Sequence, residues 1–231
     1  MRWPLTRYGT RELAVGTLVL GGLCVVAAWL FPWAAIVPAA LWVLLVNFFR
    51  DPERVPPEGD DKLVSPADGR VADIETVRED EFLHAEALRI GVFMSVFNVH
   101  VNRAPLGGKV VYRAYRPGKF RNAMGAAATS ENECAFVGLE RPDGSRILVR
   151  QIAGLVARRI VTDCAVGDDL KRGQRFGMVK LGSRLEVYVP KAALFRPAVA
   201  VGDHVKAGAS VLGEVADSEM QNVKGKTQSA K

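Results

Sequence analysis

The pattern of apolar and polar positions divides the chain into two unlike parts. From Leu13 to Phe49 no residue carries a charge, and this stretch is too long for a single membrane-crossing helix, which needs about 20 residues. Pro32 and Pro38 interrupt it near the middle. Because proline lacks a backbone N–H, it ends or kinks helices. The pattern therefore predicts a helical hairpin, 13–31 and 33–49, that turns near Pro32.

Basic residues flank the apolar stretch at both ends. They are Arg2, Arg7, Arg11, Arg50 and Arg54. Positive residues favour the cytoplasmic side of a membrane, so both ends are expected there, and residues 1–50 are interpreted as a membrane anchor that spans or dips into the bilayer. A cleaved signal peptide is disfavoured because no small-residue cleavage site closes a short apolar region. A buried soluble helix pair would need a larger core than this chain has.

Residues 51–231 have the pattern of a second, mainly β domain. The segment Arg50–Asp61 is rich in proline and charge, which is typical of an exposed linker. After it, short apolar runs with partial alternation recur between Gly, Pro and Asp, as in β-strands. These runs are 70–77, 87–93, 109–115, 147–152, 184–189 and 210–215. A short helix is expected near 152–159, and the predicted fold class is mainly β (α+β).

Two segments of this domain resemble each other. Ala165-Val-Gly-Asp-Asp-Leu-Lys-Arg-Gly173 and Ala200-Val-Gly-Asp-His-Val-Lys-Ala-Gly208 share a Gly-Asp turn and a second glycine at the same spacing. This spacing is familiar from the sandwiched barrels of biotinyl and lipoyl carriers, and it adds barrel-sandwich-like elements to the predicted fold. Two ordinary hairpin turns are the alternative.

Composition narrows the range of partners and chemistry. The net charge of +6 suits nucleic acid or an anionic membrane surface, and the apolar N-terminus favours the membrane, so no nucleic acid is expected. The cysteines, Cys24, Cys134 and Cys164, form no CxxC pair and predict neither disulfides nor a metal site. Three histidines lie far apart in sequence, and nothing in their spacing proposes a metal site.

Several motifs after the linker occur together in a recognisable order. They are Phe48-Phe-Arg-Asp-Pro-Glu-Arg54, Ser65-Pro-Ala-Asp-Gly-Arg-Val71, Phe93-Met-Ser-Val-Phe-Asn-Val-His-Val-Asn-Arg-Ala-Pro105, Pro117-Gly-Lys-Phe-Arg-Asn-Ala123, Glu131-Asn-Glu133, Gln151-Ile-Ala-Gly-Leu-Val-Ala-Arg-Arg-Ile160 and Arg175-Phe-Gly-Met-Val-Lys-Leu-Gly-Ser-Arg-Leu185. In this order they resemble the phosphatidylserine decarboxylases, in particular the short bacterial branch of that family.

The resemblance implies self-cleavage at Gly182-Ser183. In the family, the equivalent of Ser183 attacks the preceding carbonyl and converts the amide to an ester. Elimination and hydrolysis then yield chains 1–182 and 183–231, the second beginning with a covalent pyruvoyl cofactor made from Ser183. This group forms a Schiff base with the substrate amine and accepts electrons as carbon dioxide leaves. The cleaved small chain, 183–231, is expected to stay associated with the large one through shared strands.

A serine hydroxyl needs a base to become a good nucleophile. The resemblance places the family's aspartate at Asp68 and its histidine at His100, so that Asp68 would orient His100 and His100 would activate Ser183. Taken alone, Asp68 fits an ordinary Asp-Gly turn and His100 an ordinary strand residue. Longer relatives carry a second histidine where this chain has Arg103, which leaves open whether His100 serves both cleavage and decarboxylation.

Substrate-binding residues are expected within the matched motifs. Arg121, Arg158 and Arg159 are candidates for the phosphate of the substrate, with solvated surface charge as the alternative. Asn122 and Glu133 lie in matched motifs and are included without a derived role.

The membrane anchor fits a phospholipid substrate. The expected function is decarboxylation of phosphatidylserine to phosphatidylethanolamine at the cell inner membrane, with the catalytic domain facing the cytoplasm. A homodimer is expected from the resemblance only. Three alternatives remain: a decarboxylase of archaeal-type serine ether lipids, a pyruvoyl enzyme acting on a soluble amino acid, and a membrane-tethered β-sandwich adaptor or carrier without catalysis.

Overall fold

The structure, a computed structural model, describes residues 4–121, 126–154, 159–180, 182–193 and 195–215. Its N-terminal part is a pair of apolar helices. Helix α1 covers Thr10–Leu30, α2 covers Ile36–Phe48, and a 3-10 helix at Pro32–Ala35 joins them. The predicted hairpin is confirmed. Its second helix begins later than predicted because Pro32 starts the 3-10 turn, and Pro38 is tolerated in the first turn of α2, where backbone N–H groups lack helical partners.

The hairpin exposes most of its apolar surface. No residue of α1 is buried, and the helical segment Arg7–Leu30 is long and apolar enough to cross a membrane by its length and composition. The two helices contact each other, since Trp42 Nε1 donates a hydrogen bond of 3.1 Å to Thr17 Oγ1. Apart from this mutual contact, the apolar side chains of the hairpin have few protein neighbours.

The rest of the described chain is mainly β, as predicted. The strands are β1 (Lys62–Val64), β2 (Gly69–Glu79), β3 (Ala85–Met94), β4 (Val101–Arg103), β5 (Gly108–Arg116), β6 (Cys134–Glu140), β7 (Arg146–Ile152), β8 (Ile160–Thr162), β9 (Asp169–Leu170), β10 (Arg175–Val179), β11 (Ser183–Pro190), β12 (Arg196–Pro197), β13 (His204–Val205) and β14 (Val211–Glu214), with one short helix, α3 (Ala126–Glu131). All six predicted strand segments coincide with strands.

Eight strands form one curled antiparallel sheet, in the order β13-β2-β3-β11-β7-β6-β5-β9. Two three-stranded sheets, β1-β14-β12 and β4-β10-β8, pack beside it. Strand β11 lies near the middle of the large sheet, paired with β3 on one side and β7 on the other. Its alternate residues Leu185, Val187 and Val189 enter the main hydrophobic core, because successive side chains of a strand point to opposite faces.

The two similar segments form matching turns at the two edges of the large sheet. In the first, the Ala165 N–H donates to the Asp168 carboxylate at 2.8 Å, and in the second, the Ala200 N–H donates to Asp203 at 2.8 Å. The strands that follow them, β9 and β13, are the outermost strands of the sheet. This arrangement fits a barrel-sandwich-like fold in outline.

Two details differ from the sequence-based expectations. The predicted helix at 152–159 is absent from its described part, because Ile152 ends β7 and residues 153–154 have no regular structure; residues 155–158 lie outside the described residues. The linker is not uniformly exposed, since Asp51 is buried and accepts hydrogen bonds from Arg103 and Arg175. Its charge is tolerated there because two guanidinium groups compensate it.

Candidate active site

Ser183 lies at the first position of β11, within the interior of the β domain. Its backbone is opposite Met94, the last residue of β3, and its side chain is fully buried. The hydroxyl Oγ has no hydrogen-bond partner among the described residues. A buried hydroxyl without a partner is unfavourable, so this group is a candidate for chemistry rather than for stability.

Gly182 precedes it with a left-handed backbone conformation, φ 62°. Residues other than glycine rarely adopt this region. Apart from its two chain neighbours, no described residue has a heavy atom within 4 Å of the position that a Cβ on Gly182 would occupy. Among the described residues, the glycine side of the Gly182–Ser183 peptide bond is therefore open.

The small sheet β4-β10-β8 brings His100 toward this peptide bond. His100 immediately precedes β4, and Val101 at the start of β4 pairs with Met178 of β10. Strand β10 then ends at Val179, shortly before Gly182 along the chain. The pairing of β4 with β10 therefore places the histidine beside the segment that leads to Ser183.

His100 is fully buried and presents one free ring nitrogen. Its Nδ1 lies 2.9 Å from the carbonyl oxygen of Asn98, and because a carbonyl only accepts, Nδ1 carries the proton. The other nitrogen, Nε2, has no partner among the described residues. Burial lowers the pKa of His100 to about 4, against smaller raising effects from Asn98 and Asp68. At neutral pH the ring is therefore neutral, with a lone pair on Nε2.

The aromatic ring of Phe48 covers one side of the imidazole. The two ring centroids are 4.3 Å apart, and Phe48 is the last residue of α2. Phe49 packs edge-on against Phe48, and both belong to a hydrophobic cluster with Met178. The foot of the apolar hairpin is thus a wall of the histidine site, a contact that the sequence did not suggest.

Asp68 lies in the same region but is bound to other groups. One of its carboxylate oxygens accepts a 2.8 Å hydrogen bond from Arg54, as part of a two-point ion pair, and the Ala207 N–H donates to the other oxygen at 2.8 Å. The described structure contains no hydrogen bond between Asp68 and His100; the Asn98 carbonyl occupies that position instead. The influence of Asp68 on His100 is electrostatic, since its charge raises the pKa of the histidine.

A buried polar network fixes the strand that directly follows His100. Gln151 Nε2 donates to Asn102 Oδ1 at 2.8 Å, and Thr162 Oγ1 donates to Gln151 Oε1 at 2.7 Å. The Asn102 amide in turn donates to the carbonyl of His100 at 3.3 Å. Side chains from three strands therefore orient the backbone next to the histidine. Gln151 and Asn102 lie in the matched motifs, but the sequence alone did not indicate their contact.

The hairpin is attached to the β domain next to this site. Lys180, two residues before Gly182, forms an ion pair with Glu12 of α1. Asp163 accepts hydrogen bonds from Arg7 and from Tyr8, the latter at 2.9 Å. The candidate site therefore lies at the foot of the apolar hairpin.

Sequence comparison identifies the proteins to which this site is related. The sequence model of phosphatidylserine decarboxylase matches residues 42–213, a span that contains Asp68, His100 and Ser183. The chain belongs to the phosphatidylserine decarboxylase family. This is a family of carboxy-lyases, and the resemblance inferred from the motifs is confirmed.

Relatives in the phosphatidylserine decarboxylase family align with nearly the whole chain. The chain is 47% identical over 203 residues to a phosphatidylserine decarboxylase proenzyme of Symbiobacterium thermophilum, covering 87% of this chain and 92% of that protein. It is 47% identical over 211 residues to the proenzyme of Rhodopirellula baltica, covering 90% and 87%. With the proenzyme of Carboxydothermus hydrogenoformans it shares 41% identity over 215 residues, covering 93% and 99%.

The expected substrate-binding residues have different surroundings. Arg121 is largely exposed and pairs with Glu131 at 3.0 Å, so its charge is partly compensated. The Lys180 N–H donates to the Arg159 carbonyl at 3.3 Å, which places the exposed Arg159 close to the segment before Gly182. Glu133 is buried. Asn122 and Arg158 lie outside the described residues.

The described residues hold no group of three or more His, Cys, Asp or Glu side chains that could bind a metal ion. Cys24, Cys134 and Cys164 are free cysteines. The sequence analysis did not single out three residues that contact His100 or Asp68, namely Phe48, Arg54 and Asn98. Asn98 acts through its backbone carbonyl, for which the sequence contains no signal.

Proposed function

We propose that this chain cuts itself between Gly182 and Ser183 and then decarboxylates phosphatidylserine to phosphatidylethanolamine at a membrane surface. The observation that carries the proposal is the pair of buried, unpartnered groups, Ser183 Oγ and His100 Nε2, inside the span that matches the family. The names of the relatives, which describe phosphatidylserine decarboxylase proenzymes, support both steps.

The self-cleavage step uses groups of the chain alone. Ser183 Oγ attacks the Gly182 carbonyl carbon, and the hydroxyl proton passes to His100 Nε2, which is neutral because burial lowers its pKa. The peptide nitrogen leaves with a proton, so that an ester replaces the amide. Glycine favours this step because its missing side chain leaves the carbonyl open to attack. Elimination at Ser183 then releases the chain ending at Gly182, and hydrolysis with loss of ammonia leaves a pyruvoyl group.

Asp68 contributes to this step through its charge. It favours the protonated form of His100 electrostatically, which helps the histidine accept the serine proton. The orientation of the ring comes from the Asn98 carbonyl, 2.9 Å from Nδ1. Arg54 holds Asp68 in place through a two-point ion pair.

The surroundings of Ser183 suit a small carbonyl group. The serine side chain is enclosed, and its Oγ faces no described hydrogen-bond partner, so an oxygen at this position is not required for local stability. A pyruvoyl carbonyl there supplies an electron sink for the loss of carbon dioxide from an amino acid head group. The residues of the chain provide the enclosed site, and His100, whose Nε2 has no described partner, is the proposed group for moving a proton.

Substrate binding is proposed for Arg159, Arg121 and Glu133, together with Asn122 and Arg158. Arg159 has the strongest support, since its backbone adjoins Lys180 and its side chain is exposed. A guanidinium group pairs well with a phosphodiester.

The hairpin is proposed to hold the site at the cytoplasmic face of the inner membrane. Its apolar surface is exposed and its foot adjoins His100. A phospholipid presents its head group at the interface and its tails in the bilayer, so an anchored domain meets the head group without extracting the lipid. The serine ether lipid of the archaeal type carries the same head group and remains the alternative substrate.

The intact mass of the purified full chain under denaturing conditions tests the proposal. We expect two masses, one ending at Gly182 and one beginning with a pyruvoyl group at position 183, and conversion of phosphatidylserine in mixed micelles. Ser183→Ala should give one uncut, inactive chain. Ser210→Ala, a half-buried serine in the same small chain, is the matched control and should be cut normally. A single full-length mass from the folded, unsubstituted protein would refute self-cleavage.

A further inference from the structure

A rigid turn lies just before His100 and presents two apolar side chains to the outside. The Asn98 N–H donates to the Ser95 carbonyl at 2.9 Å, and both the N–H and the hydroxyl of Ser95 donate to Asn98 Oδ1, at 2.9 and 2.8 Å. These three bonds close the turn Ser95–Asn98. Between them, Val96 is 42% exposed and Phe97 is 66% exposed.

This turn is tied to the foot of the apolar hairpin. The guanidinium group of Arg50 donates to the Phe97 carbonyl at 2.7 Å and, through its other terminal nitrogen, to the Asn47 carbonyl at 2.8 Å. Asn47 belongs to the last turn of α2. One arginine side chain therefore bridges the turn and the hairpin.

Exposed phenylalanine is otherwise confined to the hairpin in the described residues. Phe31, at the hairpin turn, and Phe97 are the two exposed phenylalanines there. An isolated exposed valine is ordinary on a protein surface, but an aromatic ring on a hydrogen-bonded turn, beside a valine and an arginine, has the composition of a membrane-interface contact.

We propose that the turn Ser95–Asn98 enters the lipid head-group region as a second membrane contact beside the hairpin. The proposal rests on the membrane function proposed above. Phe97 and Val96 continue the exposed apolar surface of the hairpin across the Arg50 bridge, and Arg50 brings a positive charge that suits lipid phosphates. Because His100 follows the turn by two residues, this contact sets the height of the site above the bilayer. The occupant of this surface is therefore a lipid bilayer.

A site-specific fluorescent label measures the contact directly. The full chain carrying Cys24→Ala receives one new cysteine by the substitution Phe97→Cys. This cysteine is labelled with an environment-sensitive NBD group, and the protein is reconstituted into vesicles of phosphatidylethanolamine and phosphatidylglycerol. The matched control is Val166→Cys. Val166 is 62% exposed and lies in the turn beside Val110, at the end of the large sheet that is far from Ser183. We expect a blue-shifted emission and quenching by shallow spin-labelled lipids at position 97, and neither at position 166.

The possible outcomes separate this inference from the proposed function. Equal quenching at both positions in vesicle-bound protein overturns the inference while leaving the hairpin anchor intact. Failure of the protein to enter vesicles at all contradicts the membrane part of the proposed function. If the blue shift at position 97 appears in the absence of lipid and grows with protein concentration, the turn contacts a second copy of the chain. That result overturns the inference.

Kinetics provides an independent readout. Phe97→Asp should raise the apparent KM for phosphatidylserine in vesicles about tenfold, because a large ring is exchanged for a charge at the interface. The increase should largely vanish with short-chain phosphatidylserine dissolved in detergent, and Phe97→Leu should restore most of the vesicle KM. The mass of the cut chains verifies that each variant has folded. Val166→Asp should leave the vesicle KM near the unsubstituted value. An unchanged vesicle KM in Phe97→Asp would contradict the inference.

Discussion

Replacing Phe48 by alanine should change the pH dependence of the proposed self-cleavage. Phe48 is 7% exposed, and its ring lies 4.3 Å from the His100 ring, centroid to centroid. Removing the ring opens a space next to the imidazole that water can enter from the surface. The histidine then regains part of the hydration that it lacks in the unsubstituted protein, and its protonated form becomes less unfavourable.

The size of the effect follows from the pKa of His100. Burial is the largest cause of its lowering from 6.5 to about 4. If hydration restores the pKa to about 6, the neutral fraction at pH 5.5 falls from nearly all molecules to about a quarter, and cleavage slows roughly fourfold. At pH 8 both proteins hold a neutral histidine, so the rates should converge there.

The assay follows precursor made by cell-free synthesis in the presence of vesicles. Cleavage is timed on denaturing gels after transfer to buffers between pH 4.5 and 8. Phe82→Ala is the control, because Phe82 is also partly buried and stacks on Tyr112 at 5.2 Å in a separate cluster. Phe48→Leu keeps an apolar side chain over the imidazole. The pH at which its cleavage rate is half-maximal should therefore lie between those of the unsubstituted chain and Phe48→Ala.

Two results would refute this reasoning. If the cleavage rate of Phe48→Ala is half-maximal at the same pH as that of the unsubstituted chain, the Phe48 ring does not govern the proton affinity of His100. If cleavage slows equally at all pH values, including pH 8, the ring determines the position of the histidine and not its protonation.

Three further outcomes are expected. Gly182→Ala should slow self-cleavage and lower precursor stability by about 1 kcal/mol, measured by gel and by thermal unfolding, because φ 62° disfavours alanine; normal cutting and stability would contradict this. Asp68→Asn should lower the unfolding free energy in detergent by about 3 kcal/mol, since it leaves the Arg54 guanidinium group without its charge partner. The double variant Arg54→Met with Asp68→Leu should recover most of this stability. A double variant as unstable as Asp68→Asn would contradict this explanation. The uncut Ser183→Ala protein should lose up to about 3 kcal/mol between pH 6.5 and 4, since the unfolded histidine binds a proton that buried His100 does not. Adding His100→Gln should remove that part of the pH dependence, and an unchanged slope would refute the assignment.

The elements of the fold were predictable where the signal is local. The hairpin follows from an uncharged stretch broken by Pro32, and the strands follow from short alternating runs between glycine and aspartate. The pairing of β11 with β3 and β7 was not predictable, because it joins segments far apart in the chain. The burial of Asp51 was also missed, since its compensating partners, Arg103 and Arg175, are distant in sequence.

The candidate site was predictable as a set of residues but not as a set of contacts. The motifs identified Ser183 and His100, and the structure leaves both with an unpartnered polar atom. A direct hydrogen bond between Asp68 and His100 remains a prediction. The described residues show none, because the Arg54 guanidinium group offers Asp68 two charged donors. Spacing in the sequence cannot indicate that a backbone carbonyl, that of Asn98, accepts the hydrogen bond from His100 Nδ1 instead.

The central position of β11 has a consequence for how such a protein can be assembled. A cut before Ser183 removes one covalent bond while the strand keeps hydrogen-bonded neighbours on both sides. Before the cut, folding is a reaction of a single molecule. After it, renewed folding would require two separate fragments to meet, so it would depend on their concentration, and only one of the two fragments carries the apolar hairpin. The lifetime of the cut protein is then set by how slowly β11 leaves the sheet, and not by an equilibrium that can restore it. A protein processed in this way is assembled once.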